Sequence, residues 1–287
     1  MKTNILNYFL LAVFSISLFT TSCKKDEEEK KIDNDTTTAQ DNAIAQNAFD
    51  DIKKVVEEAA DDEGKTSRTS YTFGTCASVT ITPAWIDTTT WPKTMTIDFG
   101  TSNCTGNDGV NRRGKLIVTL TDNYRDSGSV LTVQPQSYYV NDHLVEGTKT
   151  ITNNGRNTSG NLSFTVQVTN GKVTFPGGGS ATWASTRTNE WIAGESTTLF
   201  SHGIAGVCDD VYLITGSANG ISRAGKAYSV NIVTPLRKEI CCKWLVSGVV
   251  DIIPSGLATR TVNFGGGACD NIATVTILGN VFTFTMG

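Results

Sequence analysis

The chain has 287 residues, a formal net charge of −4, 39% hydrophobic content, 27 Gly, 6 Pro and only 2 His. That inventory excludes a histidine-rich metal centre, a coiled coil, a multi-span membrane protein and a strongly basic nucleic-acid binder. Threonine fills 42 positions, about 15% of the chain, and a β-branched polar side chain favours extended backbone with one solvated face.

Lys2 opens a short basic segment, and an apolar run from Ile5 to Phe19 comes next. The run is shorter than the roughly 20 residues that span a bilayer. Thr20-Thr21-Ser22 then leads to Cys23, the order of a secretory signal ending at a cysteine. This ending resembles a bacterial lipobox, which implies removal of residues 1–22 and lipidation of Cys23. The continuation Cys23-Lys24-Lys25-Asp26-Glu27-Glu28-Glu29 resembles the export signal of Bacteroidota surface lipoproteins. That resemblance implies an outer-membrane location facing the cell exterior, with the membrane reached through acyl chains. Two or three such chains anchor stably where one does not.

Charge divides the rest of the chain. Residues 24–65 hold 14 acids against 7 bases, whereas residues 66–287 hold 14 acids against 16 bases. The acidic stretch reads as a solvated stalk: residues 23–40 as a flexible tether and residues 41–62 as a helix. Within it Ala45, Phe49, Ile52, Val56 and Ala59 recur at helical spacing. Asp41 suits the N-cap and Gly64 the stop. The apolar stripe is narrow, so the helix either docks on the β-patterned body beyond it, the commoner outcome, or meets a partner.

From residue 66 onward the period becomes two. Ser78–Thr82, Met95–Phe99, Lys115–Thr121, Leu162–Val168, Tyr228–Ile232, Val246–Ile252, Thr274–Ile277 and Val281–Phe284 all alternate, with turn signals such as Asn170-Gly171 and Gly279-Asn280 between neighbours. The expected class is all-β: a large antiparallel β-sandwich or rolled sheet of a dozen or more strands, preceded by one amphipathic helix. Gly109-Val110-Asn111-Arg112-Arg113-Gly114-Lys115 returns as Gly220-Ile221-Ser222-Arg223-Ala224-Gly225-Lys226. This repeat raises two related halves, 66–170 and 171–287.

Apart from Cys23 there are six cysteines: Cys76, Cys104, Cys208, Cys241, Cys242 and Cys269. An even number in an exported chain points to disulfides. The intervals 76–104 and 242–269 are nearly equal, and each encloses strand, loop and a Phe-Gly turn, which predicts Cys76–Cys104 and Cys242–Cys269. Adjacent residues on a strand face opposite ways, so Cys241 takes a different partner, Cys208. No spacing resembles a zinc motif, and no metal or cofactor is expected.

Both copies of the repeat carry Gly-x4-Gly-Lys, but Leu116 and Ala227 replace the hydroxyl of a phosphate-binding loop. Asn107, Asp108 and Asn111 offer oxygens to Ca²⁺ without the acid spacing of an EF-hand. Trp183, Ser185, Arg187, Asn189 and Trp191 fall on one face of an extended segment. Trp183 and Trp191 flanking Arg187 would make a sugar-stacking platform, or alternatively core aromatics. Trp85 and Trp91 flank Asp87-Thr88-Thr89-Thr90, an expected exposed loop. His143 and His202 sit in turn-like contexts without a nucleophile elbow, so no catalytic residue is assigned.

Thr96–Gly100, Cys104–Gly109 with Arg113-Gly114-Lys115, Val145–Lys149, Cys242-Lys243-Trp244 and Gly267–Asn271 together resemble an uncharacterised family of Bacteroidota lipoproteins. The resemblance implies a surface address and a disulfide-containing β body, with no activity to transfer. The expected role is a non-enzymatic binding or structural module, for instance an accessory subunit of an outer-membrane complex. The alternative is a glycan-binding or glycan-cleaving lipoprotein of polysaccharide uptake.

Overall fold

The computed structural model describes residues 33–61 and 73–286. The signal segment, Cys23 and the first part of the expected tether lie outside the described residues. One long helix, α1 (Thr37–Asp61), precedes the strands. These are β1 (Ser78–Thr82), β2 (Lys93–Asp98), β3 (Cys104–Thr105), β4 (Asn111–Leu120), β5 (Val130–Val140), β6 (His143–Arg156) and β7 (Leu162–Thr174). β8 (Ser180–Ala193) is followed by two helical turns, α2 (Leu199–His202) and α3 (Ala205–Cys208). The chain ends in β9 (Val211–Ile221), β10 (Ala227–Glu239), β11 (Leu245–Pro254), β12 (Arg260–Gly266), β13 (Ile272–Ile277) and β14 (Asn280–Thr285).

All fourteen strands form one antiparallel sheet in which each strand pairs with its neighbours in sequence, except that β3 pairs only with β4, beside β2. The sheet is open, with β1 and β14 as its edges. It is therefore a rolled sheet and not a sandwich. The proposed division near residue 170 finds no counterpart in it, because β7 runs through that position and, across a bulge there, pairs with β6 and β8 both before and after it. Nor do the two repeat copies occupy equivalent places. The first straddles a loop and the start of β4, whereas the second forms the turn between β9 and β10.

Register explains the threonine content. One outward rung crosses twelve strands as Thr82, Thr94, Thr119, Thr132, Thr150, Gln167, Thr186, Ser217, Asn231, Asp251, Thr261 and Thr276, each paired with the next. The adjacent inward rung reads Ile81, Met95, Val118, Val133, Lys149, Val168, Ser185, Ala218, Val230 and Ile252 over the first ten of those strands. Period-two alternation thus puts hydroxyls and amides on the outside and the apolar set within. Solvated hydroxyls on β-branched side chains satisfy both the strand backbone and the water.

The inward face closes on α1. Phe49, Ile52, Val55, Val56 and Ala60 are fully buried, and Asp41, Lys53, Lys54, Glu57 and Glu58 are buried with them. A helix buried on nearly every side against a single sheet requires that sheet to curl around it. Small residues let the backbones approach: Ala39, Ala43, Ala45, Ala48 and Ala59 are all buried. On β7, a Cβ at Gly171 would stand 2.2 Å from the Trp183 carbonyl oxygen and 3.0 Å from Phe49 Cζ.

The stalk reading needs correction at its C-terminal part. The compact unit begins at Asp33, and the helix starts at Thr37, four residues before the expected N-cap. Asp35 caps it, accepting the Thr37 N–H at 2.9 Å. Asp41 instead points into the sheet, where Arg223 Nε donates to it at 2.7 Å. Arg260 pairs with Asp33 at 2.6 Å, and Arg112 pairs with Asp51 and, at 2.7 Å, with Asp108. Lys54 also reaches Asp108, at 2.8 Å. Asp33, Asp41 and Asp51, which a charge count assigns to solvent, are paired with basic residues from distant parts of the sequence.

Candidate functional site

The β8 face predicted from alternation is a single face, and it is the inner one: Trp183, Ser185, Arg187, Asn189 and Trp191 are all buried. Trp183 stacks on Phe49 at 5.3 Å between centroids and donates its indole N–H to Asn42 Oδ1 at 3.0 Å. Trp191 stacks on Tyr212 at 5.5 Å, donates to Asp210 Oδ1 at 3.0 Å and lies under the Arg125 guanidinium. Protein occupies these ring faces, so the sugar-stacking platform is replaced by core packing. Arg187 sits 5.5 Å from the Trp183 ring, and none of its three guanidinium nitrogens has a hydrogen-bond partner among the described residues. Burial pulls its pKa down to about 10, against a smaller opposing pull from Asp50.

The accessible part of the interior lies elsewhere. Gln40, Ile44, Asn47 and Asp51 are half-buried, and their 4-3-4 spacing makes one stripe along α1. Above this stripe the curled sheet leaves a mouth with a cavity of about 80 Å³. Its apolar walls come from Ile44 and Ala48 of the helix, Val110, Val140, Trp244 and Met286. Its polar rim includes Asp51, Lys54 and Asp108, which are held in the ion-pair network around Arg112. Asn47 Nδ2 donates to the Met286 carbonyl at 3.0 Å, tying the end of the last strand to the helix.

Lys238 shapes one side of this mouth. Its buried ammonium donates to the carbonyls of Cys242 at 2.6 Å and Lys243 at 3.1 Å, organising the turn after β10. Burial lowers its pKa to about 8, with Asp50 opposing. The same turn is held by two disulfides, Cys208–Cys241 and Cys242–Cys269, while Cys76–Cys104 staples the loop that delivers Asp108 and Val110. These are the three expected pairs, two from the spacing and the third from the opposite facing of Cys241 and Cys242. Cys241 and Cys242 nevertheless lie in a turn and not on a strand. Their side chains still diverge, Cys242 inward and Cys241 outward.

The remaining candidates are engaged locally. The Asp108 carboxylate, offered to Ca²⁺ by the sequence, is neutralised by Arg112 and Lys54. His143 bonds the Asn141 carbonyl through Nδ1 and packs edge-on against Phe175. His202 contacts its neighbour Ser201 at 2.8 Å on an exposed helical turn. Among the described residues no group of three or more His, Cys, Asp or Glu side chains is placed to hold a metal ion. Sequence reasoning misses the mouth itself. The 4-3-4 stripe is visible in the chain, but the distant segments that frame it are not. No family model matches the chain, and no curated protein or solved structure matches it.

Proposed function

We propose that this chain is a lipid-anchored module of the outer membrane, facing the cell exterior, which binds a partner through the mouth over α1 and carries out no chemistry of its own. The observation that carries this reading is where the fold begins. The compact unit starts at Asp33, ten residues after Cys23, so a fully extended connection reaches at most about 35 Å. A body on so short a lead stays beside the bilayer that holds the acyl chains. The three disulfides suit an exported protein, and the resemblance of Cys23–Glu29 to a surface-export signal supports the outward address. The mouth holds about 80 Å³, below the roughly 300–1,000 Å³ of a small-molecule site, and its mixed apolar and charged lining suits one inserted side chain of a protein partner. With Trp183 and Trp191 packed inside, nothing specific favours the glycan reading.

Labelled palmitate tests the anchor: incorporation that is lost in Cys23→Ser, together with loss of membrane fractionation, is the expected result. Unchanged fractionation of that variant would refute the anchor. Crosslinking from membranes tests the binding role. Recovery of one stoichiometric envelope protein, lost when Ile44→Glu charges the mouth of a still-folded chain, is expected.

A further inference from the structure

The rolled sheet cannot close on itself as it is built. Its main path runs through thirteen strands, β1 to β14 without β3, and every pair along it is antiparallel. With an odd number of strands the two edges run in the same direction, so β1 cannot complete an antiparallel ladder with β14. The β14 edge keeps its backbone groups open. The Met286 N–H donates to the Asn271 carbonyl at 2.9 Å, and bonded pairs alternate along an antiparallel ladder. Asn280, Phe282 and Phe284 therefore bond back to β13, while the N–H and C=O groups of Val281, Thr283 and Thr285 point to the free side. None of these groups has a hydrogen-bond partner among the described residues.

Edge strands are ordinarily blunted by charges, proline or bulges. Residues 280–285 contain no charged residue and no proline, and β13 and β14 pair over six consecutive residues without a register shift. Apolar surface also collects on this hairpin. Of the eight large apolar side chains exposed among the described residues, three belong to it: Ile272, Leu278 and Val281. Such clustering is a property of interaction sites.

The occupant that fits this edge is a second copy of the same strand. We infer that two chains join through β14 about a two-fold axis at Thr283, so that one sheet continues across both. With Thr283 opposite the partner's Thr283, Val281 stands opposite the partner's Thr285, and the reverse holds for the other chain. Every open N–H and C=O of both strands is then used. Sliding one strand by two residues either way leaves Val281 or Thr285 without an opposite number in β14. The side chains agree with this register. On the outer face β-branched residues meet β-branched residues. On the inner face the half-buried Phe282 meets the partner's Phe284 at a non-hydrogen-bonded pair, where cross-strand side chains come closest. The contact depends on neither the acyl anchor nor the mouth.

The test uses the full chain in detergent, with micelles in large molar excess. Sedimentation equilibrium is expected to give twice the polypeptide mass. Thr283→Lys sets like charges opposite each other at an exposed position and is expected to halve that mass without unfolding the chain. Oxidation of Thr283→Cys is expected to give a covalent dimer, because opposite Cα atoms in a bonded pair stand about 5.5 Å apart, within the span of a disulfide. Thr285→Cys alone is expected to remain monomeric on a non-reducing gel, and to crosslink when mixed with Val281→Cys. A single-chain mass at every concentration, a dimer that Thr283→Lys leaves intact, or equal crosslinking of the Thr283→Cys and Thr285→Cys chains would each overturn the inference.

Discussion

Lys149, in the middle of β6, drives its ammonium into the interior and donates to the Phe49 carbonyl of α1 at 2.6 Å. A helix carbonyl already engaged along the helix axis gains a second, charged donor, and the helix is pinned to the sheet at its centre. The cost is desolvation of the cation, which lowers the Lys149 pKa to about 8 despite attraction from Asp50.

That depression sets a pH dependence. Unfolding returns Lys149 and Lys238 to the ordinary lysine range near 10.5, from about 8 in the folded state. Between those values the unfolded chain binds more protons than the native one, so stability rises with pH. Below about pH 8 both states are protonated and the penalty is fully present. Above about pH 10 the buried hydroxyls of Tyr124 and Tyr138, whose pKa values burial raises, reverse the trend. Urea midpoints measured from about pH 7 to 10 should therefore climb, and the slope should flatten by about half in Lys149→Met. An unchanged slope in that variant would mean that the lysine is solvated.

Two buried arginines should respond oppositely to the same change. Arg187 has no hydrogen-bond partner among the described residues, so Arg187→Met removes an uncompensated buried cation. Stabilisation by about 1–3 kcal/mol is expected. Arg112 is wholly buried against Asp51 and Asp108, and Arg112→Met strips Asp51 of its cation and leaves Asp108 with Lys54 alone. A loss of about 3–5 kcal/mol is the expected result. Thermal melts of the two variants decide the matter, and a fall in Tm for Arg187→Met would show that its guanidinium is satisfied in solution.

The disulfides around the mouth give a third test. Each closes a separation of 27 to 33 residues, for which about 2–4 kcal/mol is typical. Replacing Cys242 and Cys269 by Ser should lower stability by that amount and raise amide exchange in residues 240–244, because the turn would lose one of the two bridges that hold it. Peptide mass mapping under non-reducing conditions should recover the three pairs, and free thiols at these positions would contradict them.

The sequence makes legible what depends on near neighbours. Alternation in Met95–Phe99 or Leu162–Val168 locates strands, and Ala45, Phe49, Ile52 and Val56 locate the helix. Alternation also puts Trp183, Arg187 and Trp191 on one face, yet it cannot say whether that face looks inward. The polar side of the helix is misread from local charge because Asp51, Asp41 and Asp33 find arginines 61, 182 and 227 residues away. The repeat misleads in an instructive way. Its two copies sit in different kinds of element, but Arg112 and Arg223 each supply a guanidinium to a helix carboxylate. The mouth is framed by residues from α1, the loop before β4, the turn between β5 and β6, the turn after β10 and the chain end, so no local pattern announces it.

The closeness of helix and sheet can be tested at one atom. Gly171 lies where β7 passes under Phe49, and an added methyl would meet the Trp183 carbonyl oxygen at 2.2 Å, a backbone atom that cannot swing aside. Relief requires β7 and β8 to part, or Phe49 and Trp183 to give up their stacking. Overpacking of this kind costs about 1–3 kcal/mol, so Gly171→Ala should lower Tm by several degrees and alter the near-ultraviolet circular dichroism of Trp183. Gly177, in the turn after β7, has nothing within 4 Å of its added Cβ, and Gly177→Ala should leave both readings unchanged. Equal behaviour of the two variants would mean that the helix does not lie against β7 and that the sheet is not rolled around it.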